Sequence, residues 1–147
     1  DVGQSSYSNM SGRNYIQYNW TSVEGYSKIG KYNSNGSSTI GPYVHLGFKP
    51  ALLIVKCLTH NGTDTGWGMY TSKLGGNTYS DPLFANHHME EGYRGGGGAI
   101  TTYKCDIDLL SDGFKVRSDQ EETNYGTGNW YLYMAWAESS ALASLAR

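Results

Sequence analysis

The sequence predicts an all-β chain, an antiparallel β-sandwich of the jelly-roll or lectin-like kind with long surface loops. Three observations predict it. Apolar runs are short, about four to ten residues, and none follows a helical period. Gly, Asn, Asp and Pro punctuate them closely, and Asn35-Gly36 and Ser111-Asp112-Gly113 are hairpin signals. Thirteen Tyr, four Trp and twenty Gly against three Phe and three Pro supply strand formers and turn formers in quantity. About nine or ten short strands fit this pattern in one domain.

Taken in order, residues 1–12 form a polar Ser/Gly/Asn arm, and residues 13–147 a single sandwich module. Asn14 to Thr21 alternates as a strand, and Val23 to Lys31 follows with glycines at its bends. Asn35-Gly36 closes a turn, and Thr39 to Leu46 is a short strand broken by Gly41-Pro42, which suits a sheet edge. Ala51 to Cys57 is the most apolar run and predicts a central strand; Trp67 to Thr71 predicts its neighbour. Ser72 to Gly98 reads as one long polar loop ending in four glycines. Ala99 to Tyr103 and Asp106 to Leu110 resume the strands, and Ser111-Asp112-Gly113 turns into Phe114 to Arg117. A charged loop, Ser118 to Gly128, leads to the aromatic strand Asn129 to Glu138; the tail Ser139 to Arg147 is a helical turn or loose.

That aromatic strand is apolar on both sides: Trp130, Leu132, Met134 and Trp136 point one way, Tyr131, Tyr133, Ala135 and Ala137 the other. Burial on both faces is expected. Asn14 to Thr21 echoes it, with Tyr15 on Tyr131, Ile16 on Leu132, Tyr18 on Met134 and Trp20 on Trp136. Gln17, Asn19 and Thr21 make the second face of the echo polar, which predicts a half-solvated strand.

Bulk properties exclude some functions. A net charge of −2 gives no electrostatic basis for nucleic-acid or membrane-surface binding. No run approaches membrane-spanning length, no signal peptide is visible, and a first residue Asp1 in place of Met predicts a processed or truncated product. Cys57 and Cys105 form no metal-ligand or CxxC pattern; buried free thiols are expected over a disulfide.

No enzyme emerges. His87 and His88 are adjacent, so an extended chain points them apart; with Glu90 and Glu91 they are expected as loop contacts, not metal ligands. Asp106 and Asp108 share a strand face roughly 7 Å apart, but the calcium-loop pattern is missing and Asp112 is explained by its turn. Gly95 to Gly98 lacks the Lys-Ser/Thr and helix of a phosphate loop. No cofactor is expected. The Asn-x-Ser/Thr triplets at Asn9, Asn19, Asn35 and Asn61 matter only in a glycosylating host.

Five segments carry a family resemblance: Gly25-Tyr26-Ser27-Lys28-Ile29-Gly30-Lys31-Tyr32, Asn35-Gly36, Gly47-Phe48-Lys49-Pro50 through Lys56, Leu110 through Val116, and Tyr131 through Glu138. In this order they resemble an uncharacterised β-rich module of tail-fibre-like and virion structural proteins of marine and freshwater, cyanophage-like bacteriophages. The resemblance covers roughly Tyr15 to Arg147. Lys56-Cys57-Leu58 departs from a more polar family pair, and the loop Asn86 to Gly98 is its own. In such proteins the closing aromatic strand of one module runs into the Gly-Tyr-Ser-Lys of the next, the order seen from Trp20 to Lys28.

The resemblance implies a non-enzymatic protein of the virion surface, a homotrimeric tail-fibre or adhesin-like module that contacts other virion proteins and host-surface polysaccharide. Tyr43, Trp67, Tyr70, Tyr79 and Tyr93 are the candidate glycan or partner surface. A capsid decoration (cement) protein, clamping neighbours with its arm and long loop, is the alternative. A polysaccharide-degrading enzyme using Asp106 and Asp108 is the third reading. Neither nucleic acid nor membrane is expected as a partner.

Overall fold

The computed structural model describes residues 10–60, 65–73, 82–86 and 105–138. Eight strands run through them: β1 (Ser27–Asn35), β2 (Tyr43–His45), β3 (Pro50–Cys57), β4 (Trp67–Thr71), β5 (Leu83–Phe84), β6 (Ile107–Leu110), β7 (Gly113–Val116) and β8 (Thr127–Ala137). They form two antiparallel sheets, β1-β8-β3-β4-β5 and β2-β7-β6, packed as a β-sandwich. The aromatic run is the hub of the larger sheet, because β8 pairs with β1 on one side and β3 on the other.

Directly opposed residues share a face, so the registers define the inner side row by row. One row is Tyr32, Tyr131 and Cys57; a second is Gly30, Tyr133, Val55 and Gly68; a third is Lys28, Ala135, Leu53 and Tyr70. Their apolar members meet Ile107, Leu109, Phe114 and Val116 of the smaller sheet, with Leu46 and Phe48, in one core. The Tyr32 ring stacks on Tyr131 at 5.2 Å and meets Phe114 edge-on at 5.9 Å. Phe114 also meets Tyr133 edge-on at 5.6 Å. Gly113 fits here because β2 lies so close: a Cβ would fall 2.1 Å from the Val44 carbonyl oxygen.

Three phenolic hydroxyls, those of Tyr32, Tyr70 and Tyr131, are buried with a partner. Tyr32 donates to Thr123 O at 2.6 Å, Tyr70 to Cys105 O at 3.0 Å and Tyr131 to Glu121 O at 2.9 Å. Tyr131 also accepts the Tyr125 N–H at 2.9 Å. The segment after Arg117 is thereby drawn inward, and Glu122, Thr123 and Asn124 are buried. The Asn124 amide bonds the backbone N–H of Asn35, its side chain and Ser37 O. The Cys105 thiol, free like Cys57, lies 3.5 Å from the buried Glu122 carboxyl.

Several expectations change. Asn14 to Thr21 is not a strand of the sandwich: it runs without sheet pairing, and Ile16 is 82% and Tyr18 70% exposed. Asn35-Gly36 is a turn with Gly36 at φ 65°, but no hairpin: β1 pairs with β8, and the chain crosses to the other sheet. Local turn chemistry cannot tell a hairpin from a sheet change. The loop from Ser72 onward contains a short strand, β5. The loop from Ser118 is partly core rather than a charged surface. By contrast β3, β4, β8 and the β6–β7 hairpin across Ser111-Asp112 lie where the sequence places them. Ala99 to Tyr103 lies outside the described residues.

Replacing Tyr131 by Phe keeps the packing but strands the Tyr125 N–H and Glu121 O. It should lower the unfolding free energy by ~1–3 kcal/mol in denaturant titration. Burial raises the Tyr32 and Tyr131 pKa values well above the ordinary tyrosine range. The folded state therefore holds these protons more tightly than the unfolded chain, whose tyrosines titrate at about 10. The stability this confers is complete below about pH 10 and is lost as pH rises beyond it. Tyrosinate absorbance of these two residues should appear only together with unfolding.

Candidate interaction surface

The same registers that build the core leave a second set of rows on the other side of the larger sheet. Ile29 opposes Met134, Met134 opposes Ile54, Ile54 opposes Met69 and Met69 opposes Leu83. One apolar row therefore crosses all five strands. Trp136 opposes Leu52, and Leu132 lies between Lys31 and Lys56, with Trp67 beyond. Trp130 opposes Asn33, and the Lys31 ammonium sits 5.1 Å from the centroid of its ring.

None of these side chains belongs to the core cluster or packs against it, among the described residues. Trp130 is 43% exposed; most of the others are partly buried, and Met134 is buried. The sequence implies cover on both faces of β8; among the described residues the core cluster packs on the side bearing Tyr131, Tyr133 and Ala135. Lys56 directs its ammonium to Thr65 O, so its stem stays on the face while its charge reaches the rim. Contiguous apolar surface of this kind marks interaction sites in folded proteins.

The described aromatic residues singled out from sequence, Tyr43, Trp67 and Tyr70, do not assemble into one platform. Tyr70 is core, 2% exposed, with its hydroxyl bonded to Cys105 O, which removes it from any glycan surface. Its inward phase on β4 follows from its pairing with Leu53. Trp67, three residues earlier, has the opposite phase and lies on the open face. Tyr43 is exposed on β2, whose next residue, Val44, packs against the core. Tyr43 and Trp67 thus point from opposite outer faces of the sandwich. Tyr79, Tyr93, His87, His88, Glu90 and Glu91 lie outside the described residues.

Two polar clusters remain. The Tyr43 hydroxyl is 3.4 Å from His45 Nδ1, which lies 3.7 Å from an Asp112 carboxylate oxygen. Local desolvation, then the Asp112 carboxylate, raises the Tyr43 pKa, yet all three groups are solvent-accessible. Asp108 is not one of a free carboxylate pair: it receives Arg117 Nε at 2.6 Å, while the Arg117 N–H bonds Asp106 O. This arrangement fixes the exit of β7 and suits a structural role. Among the described residues no three His, Cys, Asp or Glu side chains group as metal ligands.

Sequence reasoning missed the open face although its signal was present. The continuous apolar run of Asn129 to Glu138 predicts burial on both faces, and that of Ala51 to Cys57 a central strand. They equally describe strands covered once by the chain and once by something else.

One family model, described as "Domain of unknown function (DUF7483)", matches residues 1–140, so the chain belongs to that family. No curated protein and no solved structure matches.

The two faces of β3 separate in a stability test. Leu53→Ala should cost ~2–5 kcal/mol because it opens a cavity in the core. Leu52→Ala on the open face should cost no more than about 1 kcal/mol. Equal losses in thermal or chemical unfolding would contradict the assignment of faces.

Proposed function

We propose that this member of the DUF7483 family is a non-enzymatic structural module of a bacteriophage particle. It holds its place by packing the open face of its five-stranded sheet against a neighbouring particle protein. The observation that carries this reading is the apolar row from Ile29 to Leu83, which crosses every strand of the sheet and, among the described residues, lies outside the core cluster. A soluble monomer gains no stability by displaying such a surface; a subunit of a larger assembly buries it. The virion setting rests on the ordered resemblance of five segments, from Gly25-Tyr26-Ser27-Lys28 to the closing aromatic strand, to modules of phage structural proteins. On this reading the chain is a fibre or decoration subunit at the particle surface, and a homotrimer is the assembly expected for a fibre.

Glycan contact is the second reading, favoured by one observation. Trp130 presents an exposed ring with Lys31 over it, and Asn33 opposes it on β1. An aromatic plate beside an ammonium and an amide matches the mixed apolar and hydroxyl surface of a sugar. The two readings use different ends of the same face.

The test introduces charge into the apolar row without touching the core. Ile54→Glu combined with Met69→Lys should leave the thermal melt close to that of the parent and abolish retention of the protein on phage particles in sedimentation assays. Normal retention by a folded double variant would reject the assembly role. Labelled-particle imaging then distinguishes a fibre position from cover over the head. Trp130→Ala should alter binding in a glycan array only if the second reading holds.

A further inference from the structure

We infer that the segment Asn14 to Thr21 of one copy adds as a strand to the open edge of β1 in a second copy. β1 is the terminal strand of its sheet, so among the described residues one of its edges faces no other strand. Tyr26 O accepts Ala137 N on the β8 side, whereas the Ser27 N–H turns the other way to Val23 O. Successive backbone groups alternate along a strand, so the N–H and C=O of Ile29, Lys31 and Asn33 face the open edge. Ile29 N–H is taken by Ser22 Oγ at 3.0 Å. No described residue bonds the Lys31 or Asn33 main-chain groups on that side.

The chain begins a hairpin there and abandons it. Val23 and Ser27 bond reciprocally at 2.9 and 2.8 Å around Gly25, whose φ is 69°. The next rung would join Thr21 to Ile29, but two hydroxyls intervene. Ser22 Oγ takes the Ile29 N–H, and Ser27 Oγ donates to Thr21 O at 3.0 Å. Beyond this point the arm leaves the sheet with Ile16, Tyr18 and Trp20 82%, 70% and 56% exposed. Tyr18 and Trp20 stack at 5.8 Å, as side chains two apart on one side of an extended chain do.

The arm's own sequence identifies its partner. Ile16, Tyr18 and Trp20 correspond to Leu132, Met134 and Trp136 of β8, which oppose Lys31, Ile29 and Ser27 on β1. The arm therefore carries the side-chain pattern that this fold sets against β1. Eight residues at about 3.3 Å each also span the length of that strand. A copy's own arm cannot use this pattern. Continuing the Val23–Ser27 rung would set Thr21 against Ile29 and Asn19 against Lys31, placing Ile16, Tyr18 and Trp20 on the core side, one residue out of phase. An arm arriving from a second copy is free of that register. It can place Ile16 and Tyr18 beside Lys31 and Ile29, extending the open apolar face by one strand. Exposed edge groups and an unpaired apolar strand are the two halves of strand addition, and mutual exchange between identical copies closes into a dimer or small ring.

Two proline variants test this. Lys31→Pro removes an outward N–H and leaves the β1–β8 ladder intact, a position where edge strands tolerate proline. Ile16→Pro removes the donor on the arm, outside the sandwich. By light scattering the parent chain should have an oligomeric mass, and each variant alone the monomer mass with a near-parental melt. Mixing the two should restore a heterodimer, because one retains the arm and the other the edge. A monomeric parent, oligomers persisting in Ile16→Pro, or monomeric variants that stay monomeric when mixed would each overturn the proposal. Should Lys31→Pro fail to fold, Ile16→Pro mixed with a fluorescent parent answers the question: the variant should still receive the parent's arm, and no co-migration would overturn the proposal. The open-face variant Ile54→Glu, Met69→Lys should keep the parent's mass, so this inference and the assembly reading can fail separately.

Discussion

The pairing of β8 with β1 on one side and β3 on the other is the constraint on which the rest of the structure depends. It joins the beginning of the sandwich to its end, and it sets the phase of every side chain in the larger sheet. Once Met134 opposes both Ile29 and Ile54, Tyr133 must oppose Gly30 and Val55, and the two faces of the sheet are fixed together. A one-residue slip would exchange the core for the outer face. The stacked and edge-on rings of Tyr32, Tyr131, Phe114 and Tyr133 hold that phase from inside.

The core's polar tips carry a second consequence. Three buried phenols reach main-chain oxygens at Thr123, Glu121 and Cys105, so an otherwise irregular segment becomes part of the interior. Asn124 then fastens it to the turn at Asn35 and Ser37. One end of the sandwich is closed by hydrogen bonds rather than by apolar contact. Such networks are costly to interrupt, because a lost partner leaves a buried group unpaired.

The functional reading rests on asymmetry between faces. Alternation would ordinarily place polar residues on the solvent side of an antiparallel sheet. Here Ile29, Met134, Ile54, Met69 and Leu83 form an unbroken row, with the polar residues Lys31, Lys56 and Asn33 towards one end and Ser27 and Thr71 towards the other. The arm repeats the theme, with an apolar side exposed and a polar side of Gln17, Asn19 and Thr21. Both features fit a protein completed by its neighbours.

The amino-acid sequence by itself determined the fold class, the strands β3, β4 and β8 and the β6–β7 turn, because local pattern and turn chemistry act over a few residues. It also revealed the echo of β8 at Asn14 to Thr21. Tertiary structure alone decided that Asn35-Gly36 leads to another sheet, that Tyr70 faces the core while Trp67 does not, and that residues after Ser118 are drawn inside. It also decided which face of β8 packs into the core cluster and that its echo lies outside the sheets. Each of these depends on which distant strand supplies the other half of a ladder or the other side of a core. An apolar residue registers the need for cover, and only the assembled sheets show whether the same chain provides it.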